Sequence, residues 1–290
     1  MEIAVLGMGR MGQAVAVRLV DGSHRVRIWN RTPGRAPELV LAGAAEARSA
    51  TEAVTGAEVV LTSLTDDAAV LEVLTPDDTV LGGVGPDAVV VDCSTVAPAT
   101  SRLLAARYDG RFVAAPILGA PTAVESGHAA LLLGGAPDIL DRLDPVWSSI
   151  AERSVRCGDD PGLATVVKLL SNYLLMAGVA TLAEVVATGQ AAGLDDEFLR
   201  LFLGAAPLVA PALSNRLDAV VDRTLDGWFP TPLGAKDVGL LIDLAGSLDV
   251  GLPLAEAVRD RCRTASPNSC GKYSLVAIGR PCRILIGMNF

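Results

Sequence analysis

Aromatic residues are scarce in this chain. Trp, Tyr and Phe make up 4% of its 290 residues, so a packed core has to be built from Ala, Val and Leu. The hydrophobic share of 51%, with a mean hydropathy of +0.43, still suffices for a sizeable globular core and excludes a disordered chain. Positive charge is also short: 24 Lys and Arg stand against 33 Asp and Glu, a formal net charge of −9. That excludes the basic face a nucleic-acid binder normally carries, although a local basic pocket survives inside an acidic protein. Histidine occurs twice, as His24 and His128, and both read as ordinary strand-end residues. The five cysteines (Cys93, Cys157, Cys262, Cys270 and Cys282) are odd in number and lack metal-ligand spacing, which fits a reduced cytoplasm and no metal site. Cys93 has no base near it in sequence and reads as a small core residue. The first residues show no basic stretch followed by an apolar run and a cleavage site, so no export signal is expected and a cytoplasmic location is.

What the chain does have is alternation. Short β-branched runs at Ile3–Leu6, Val26–Trp29, Val59–Ser63 and Val89–Asp92 are separated by helical patterns near Met11–Val20, Pro33–Ala42 and Asp67–Leu74. Such alternation predicts βαβ units, hence a parallel sheet with helices on both faces. From Pro161 onward strand signals vanish, and the first helix is expected from about Gly162 to Ala192, stopped by Gly193. It is apolar nearly all round, as suits a helix at the centre of a bundle or a dimer. Its stretch Leu163–Ala183 resembles a membrane span in composition, but holds Lys168, Ser171 and Asn172 together. A central Lys alone costs ~2.5–3.5 kcal/mol on insertion scales, so a buried helix of a soluble protein is the better reading. The expected organisation is an α/β domain over residues 1–160, an all-helical domain over 161–265 and an atypical tail over 266–290. After Asp260 the chain has no acidic residue, while Arg261, Arg263, Lys272, Arg280 and Arg283 are basic.

The segment Gly7-Met8-Gly9-Arg10-Met11-Gly12 follows the first strand and opens the first helix. In that context it is a dinucleotide-binding fingerprint of a Rossmann-type domain. The first Gly permits the tight turn, the second lets the backbone approach a pyrophosphate, and the third lets helix and strand pack closely. The end of the second strand then selects the nucleotide. An NAD enzyme places a carboxylate there for the ribose hydroxyls, whereas this chain has Asn30-Arg31-Thr32. The planar fork of Arg31 suits a 2′-phosphate, with Asn30 and Thr32 as further donors, so NADPH is the expected cofactor.

With these residues in place the chain resembles the β-hydroxyacid dehydrogenase family, which includes 3-hydroxyisobutyrate dehydrogenase and glyoxylate/succinic semialdehyde reductases; imine reductases share its fold. The resemblance covers about residues 1–262. It rests on Gly7–Gly12, the Asn30-Arg31-Thr32 corner, Asp92-Cys93-Ser94-Thr95 with Pro98, Ala115-Pro116-Ile117-Leu118-Gly119-Ala120 with Gly127 and Gly134-Gly135, Lys168 with Asn172, and Phe229 to Lys236-Asp237. It implies a nicotinamide-dependent oxidoreductase in which Lys168 is the catalytic acid and base, with Asn172 beside it. The residues support this independently: Lys168 is the only charge between Gly162 and Glu184, and Asn172 lies at i+4 on the same helical face. An ammonium in an apolar helix is costly without work or a partner, and burial lowers its pKa toward the range useful for proton transfer. The alternative is a lysine that snorkels to solvent.

The resemblance further implies that Leu64 and Thr65 cover the nicotinamide ribose and that Thr95 lies near the nicotinamide. It places Ser94 against the substrate and closes Lys236 over the cofactor. Ser94 and Thr95 read alternatively as the cap of the helix after Pro98. Where the family's substrate loop is usually Ser-Gly-Gly, this chain has Leu118-Gly119-Ala120, and the family's usual C-terminal segment is absent. Three readings follow: an NADPH-dependent reductase of small carbonyl compounds, an imine reductase on the same scaffold, and a cofactor-binding homologue without catalysis. A homodimer is expected, because a helix apolar on every side has more surface than one small helical domain covers.

Overall fold

In a computed structural model, the structure describes residues 1–75, 83–222 and 230–264; Phe229, the tail and Cys270 and Cys282 lie outside them. The chain divides into two compact units, Met1–Leu170 and a second from Ser171 onward.

Nine strands of the first unit form one sheet: β1 (Glu2–Leu6), β2 (Arg25–Trp29), β3 (Ala45–Glu46), β4 (Val59–Thr62), β5 (Val89–Asp92), β6 (Phe112–Ala114), β7 (Ile117–Leu118), β8 (Ala130–Gly134) and β9 (Arg153–Gly158). The order is β3-β2-β1-β4-β5-β6-β8-β7, with β9 also paired to β8. The first six strands are parallel, and β8 runs antiparallel to β6 and β7. The order 3-2-1-4-5-6 is that of a Rossmann sheet, whose direction of winding reverses between β1 and β4. Helices α1 (Arg10–Asp21), α2 (Pro37–Leu41), α3 (Ala50–Val54), α4 (Asp67–Leu74), α5 (Pro98–Arg107), α6 (Pro121–Glu125), α7 (Pro137–Arg142) and α8 (Asp144–Ile150) connect or follow the strands.

The apolar runs explain the sheet. Every residue of β4 and β5 is buried, as a parallel strand covered on both faces requires. Alternate side chains of β1 feed two cores: Ile3 and Val5 pack on one face with Leu19, Leu61 and Trp147, while Ala4 and Leu6 pack on the other with Val60, Leu104 and Tyr108. Helix starts are set locally. Ser49 accepts from the Glu52 amide to cap α3, and Asp66 accepts from the Ala69 amide to cap α4. One expected element is shorter than its pattern: the helix anticipated over Pro33–Ala42 begins at Pro37. Gly34 has φ +70, which a helix does not admit, and its amide donates to Glu46 Oε1 at 2.8 Å instead of entering a helical turn.

Helix α9 (Pro161–Ala191) starts in the first unit and continues into the second, within one residue of the expected ends. By length and composition it is apolar enough to cross a membrane, with 44% of its most apolar window buried in the protein. Ala164 joins the core of the sheet. The second unit adds α10 (Asp196–Ala205), α11 (Pro211–Ser214), α12 (Leu217–Val221), α13 (Thr231–Gly246) and α14 (Pro253–Thr264), and its described residues contain no strand. Met176 and Val179 of α9 pack with Val238 of α13 and Val258 of α14, and Val186 with Leu199, Leu203 and Leu217. The architecture is α/β followed by helices, as expected from the pattern.

Candidate active site

The turn after β1 meets the demands read into its glycines. Gly7 adopts φ +102, and a Cβ there would lie 2.3 Å from the Ser63 carbonyl oxygen. A Cβ on Gly12 would lie 1.9 Å from the Gly7 carbonyl oxygen, so no other residue lets α1 approach the turn. Gly9, the N-cap of α1, is different: a Cβ there would meet no protein atom within 4 Å, and no side chain caps the helix. An exposed glycine at an uncapped helix start is a cradle for an anion at the point where the strand order reverses, and it fits the pyrophosphate of a nicotinamide dinucleotide. Met8 contributes backbone only: its side chain is buried, its amide donates to Asn30 Oδ1 at 2.9 Å and its carbonyl accepts from Gln13 Nε2. Arg10 is exposed and Met11 half-buried beside it.

Asn30 therefore ties the corner to the cradle. Its other end, Nδ2, donates to the Thr32 carbonyl, so both ends of its side chain are engaged within the loop. Arg31 and Thr32 are exposed, and Arg31 lines a cleft of about 650 Å³ together with Trp29, Glu46 and Arg48.

On the other side of the cradle, a buried carboxylate joins the ends of β4 and β5. Asp92 Oδ1 accepts from Thr62 Oγ1 at 2.7 Å and from the Ser94 amide at 3.0 Å. Ser94 Oγ in turn accepts from the Leu64 amide at 2.9 Å. Burial pushes the Asp92 carboxyl above its ordinary range, against the pull of the bonds from Ser94 and Thr62. Thr65 is exposed and Thr95 half-buried on the same two loops. The loops are joined a second time by Asp67, which accepts from the Ala97 amide at 2.8 Å and from Thr100 Oγ1 at 2.5 Å. The cap of α5 is Ala97, with no side-chain bond. The alternative reading of Ser94 and Thr95 as its cap does not hold, because the helix is capped two residues further on, at Ala97. Asp67 was not picked out from the sequence, and Asp92 entered only as part of a motif, without a role of its own. The available signal was an ionisable residue closing a fully apolar strand.

Lys168, half-buried on α9, donates from Nζ to the Ile117 carbonyl at 2.6 Å. Leu118, Gly119 and Ala120 follow directly; Gly119 has φ +145 and packs against Ala123 and Ala129. In the second unit, buried Asn172 donates from Nδ2 to Asp237 Oδ2 at 2.7 Å. Lys236 Nζ lies 3.0 Å from the other oxygen in an ion pair. Oγ1 of Thr231 is a buried polar atom without a hydrogen-bond partner among the described residues, an uncommon state in a folded protein. Cys93 is buried, and burial raises its thiol far above the reactive range, as befits a core residue. His24 bonds the Ser149 hydroxyl, and His128 that of Ser126.

A Rossmann sheet, an open glycine cradle at its switch point and a lysine anchored beside a loop define a nicotinamide-dependent oxidoreductase. Residues 2–158 match the model of the NAD-binding domain of 6-phosphogluconate dehydrogenase, and residues 162–280 match that of the NAD-binding segment of NADP-dependent 3-hydroxyisobutyrate dehydrogenase. The chain is 30% identical over 269 residues to 3-hydroxyisobutyrate dehydrogenase of Pseudomonas aeruginosa, covering 89% of this chain and 90% of that protein. It is likewise 30% identical over 263 residues to the NAD-dependent L-serine dehydrogenase of the same organism, covering 87% and 88%. The crystal structure of 3-hydroxyisobutyrate dehydrogenase from Salmonella typhimurium superposes with a TM-score of 0.85 at 25% identity, over 96% of this chain and 98% of that one. An imine reductase from Pseudomonas sp., at 22% identity and a TM-score of 0.64 over 95% of this chain and 97% of that one, shares the fold. The chain belongs to the β-hydroxyacid dehydrogenase family, and it is an NAD(P)-dependent dehydrogenase or reductase acting on CH–OH groups of small molecules.

The Asp92 carboxyl yields a sign for pH dependence. Its folded pKa lies above the ordinary 3.8, so above that pH the unfolded chain releases a proton that the folded chain still holds. Stability from this group therefore falls as pH rises from about 4 through the raised value. Asn at this position has no such slope. Urea unfolding of wild type and Asp92→Asn at a series of pH values is expected to show the difference moving in favour of the variant as pH rises toward neutrality. A pH-independent difference would contradict the raised pKa.

Proposed function

We propose that the enzyme is an NADPH-preferring reductase of small, weakly polar carbonyl compounds, reversible to the corresponding hydroxy compounds, with Lys168 as general acid and base. The observation that carries this reading is the 2.6 Å bond from Lys168 Nζ to the Ile117 carbonyl, immediately before the loop 118–120. When bound, the nicotinamide supplies or accepts the hydride. In reduction, the Lys168 ammonium gives a proton to the carbonyl oxygen; in oxidation, the neutral amine takes it back from the hydroxyl. The Ile117 carbonyl holds the amine in place during either transfer, and Asn172, one turn further along α9, carries its amide in an orientation fixed by Asp237.

The cofactor choice rests on the corner after β2. Relatives are named for NAD as well as for NADP, so membership of the family leaves the choice open. Arg31 and the absence of a carboxylate at the end of β2 favour a 2′-phosphate. Gly7 to Gly12, Leu64, Thr65 and Thr95 line the cofactor's path in this reading. An imine reductase on this scaffold fits less well, since those enzymes usually carry Asp or Tyr where this chain has Lys168. A non-catalytic homologue is disfavoured by the intact pair Lys168 and Asn172.

Lys168→Ala is expected to leave cofactor binding intact and to lower turnover by ~100-fold or more, the usual range for a general acid. Near-wild-type turnover would assign the proton to another group or to water.

The substrate class follows from the loop. Leu118 removes the hydroxyl that the family's usual Ser offers a carboxylate, which leaves the Ser94 hydroxyl, still a donor while it accepts from the Leu64 amide, as the remaining one. A hydrogen bond to a charged group contributes ~1.5–3 kcal/mol, or roughly 10- to 100-fold in selectivity. Specificity constants for a neutral aldehyde and its carboxylate-bearing analogue are expected to favour the aldehyde in wild type, and the acid more strongly in Leu118→Ser. A wild-type preference for the acid that the serine leaves unchanged would reject the reading.

We further propose a homodimer in the cytoplasm. On α9, Leu170 and Leu174 are 48% and 72% exposed, and on α10 Leu201 and Phe202 are 74% and 58% exposed. Apolar residues at this density on long helices mark an association surface. Light scattering at micromolar concentration should give twice the chain mass; a monomer would refute the assembly.

A further inference from the structure

The corner that faces the nucleotide holds a second arginine from a different strand, and we propose that Arg48 is a specificity-determining residue that grips the 2′-phosphate of the cofactor opposite Arg31. The inference rests on the NADPH reading above and extends it to a residue outside the motif that suggested it.

Position comes first. Strands β2 and β3 run parallel with Ile28 opposite Glu46, and the Ala47 amide still donates to the Ile28 carbonyl at 2.9 Å. Two residues on, the chains emerge side by side as Asn30-Arg31 and Arg48. Both arginines line the same cleft of about 650 Å³, both are exposed, and neither guanidinium makes a hydrogen bond or ion pair among the described residues. The backbone beneath Arg48 is rigid: its amide donates to Glu52 Oε2 at 2.8 Å, and Ser49 caps the helix that follows. Arg31 is held likewise, because Asn30 is bonded at both ends and Glu46 takes the Gly34 amide.

Charge makes the second arginine necessary. The same wall carries the carboxylates of Glu46 and Glu72. With Arg31 alone, one positive group would face two negative ones, and a phosphate monoester of about −1.5 to −2 charge would meet a net negative wall. Arg48 restores the balance and supplies a second planar fork, the geometry that recognises phosphate in a bidentate manner. Glu46, bonded to the Gly34 amide, acts as the brace of the Arg31 turn rather than as a ribose ligand. On this arrangement the preference for a 2′-phosphate is shared between two residues from adjacent strand ends.

The test is calorimetric binding of adenosine 2′,5′-bisphosphate and of adenosine 5′-monophosphate to the full chain, in wild type, Arg31→Ala, Arg48→Ala and Arg48→Lys, with circular dichroism to verify folding. Wild type should prefer the bisphosphate, and Arg48→Ala should cut that preference by about 10-fold with little change for the monophosphate. Arg48→Lys should fall between, and added salt should erode the wild-type preference more than that of Arg48→Ala. If Arg31→Ala lowers the preference and Arg48→Ala does not, the role of Arg48 is overturned while the NADPH reading stands. If wild type itself shows no preference for the 2′-phosphate, both fall together.

Discussion

The approach of α1 to the end of β1 is the constraint on which the nucleotide half depends. A single methyl group at Gly12 would sit 1.9 Å from the Gly7 carbonyl oxygen, so the packing exists only because position 12 has no side chain. That contact fixes where the α1 N-terminus points, and the unfilled space over Gly9 is its consequence. The helix dipole and unpaired amides then favour a negative charge at that spot. The β2 corner is registered to the same place by a side chain rather than by packing: Met8 donates to Asn30, so the residue that opens the cradle also sets the loop that carries Arg31. A chain of net charge −9 thereby presents a local site for anions.

The second organising element is a buried charge. Asp92 is 1% exposed, an expensive position for a carboxylate, and its value lies in what it holds. It binds the hydroxyl of the neighbouring strand and the amide of the following loop, and the Ser94 hydroxyl passes the connection on to Leu64. Two loops that leave adjacent strands at the switch point are thus joined into one surface, and Asp67 joins them again near Pro98. A polar network of this kind specifies geometry because a half-satisfied member would be costlier than none.

How much of this was legible in the sequence depended on whether the information was local. The glycine turn, the parallel strands β1, β2, β4 and β5 and the long apolar helix were read to within a residue or two, since each rests on periodicity or on one residue's backbone demands, whereas the short β3 and β6 were not read. The helix near Pro33 was overextended, because the Gly34 amide is claimed by Glu46, twelve residues away on another strand. Asp67 was not singled out, and Asp237 entered only as part of a motif, for the same reason: each acts on a residue 30 or more positions distant, through pairings that only the folded chain creates. Ser94 was found by motif but with an incomplete role, since its acceptor is used by a loop that the motif does not include.

The anchoring of Lys168 follows from where the sheet stops. β7 is two residues long and continues β6 along one side of β8, opposite β9, with no other strand paired to it among the described residues. A strand in that position pairs on one side only, and the polar backbone groups on its other side need partners from elsewhere. Lys168 meets this need with a donor, and the ammonium in an apolar helix gains an acceptor. The same peptide unit leads into Leu118 and the strained Gly119, whose φ of +145 only glycine adopts readily. Whatever occupies the loop 118–120 therefore bears on the carbonyl that positions the amine. On the proposed function, the selection of a substrate and the placement of the proton both depend on this one short strand.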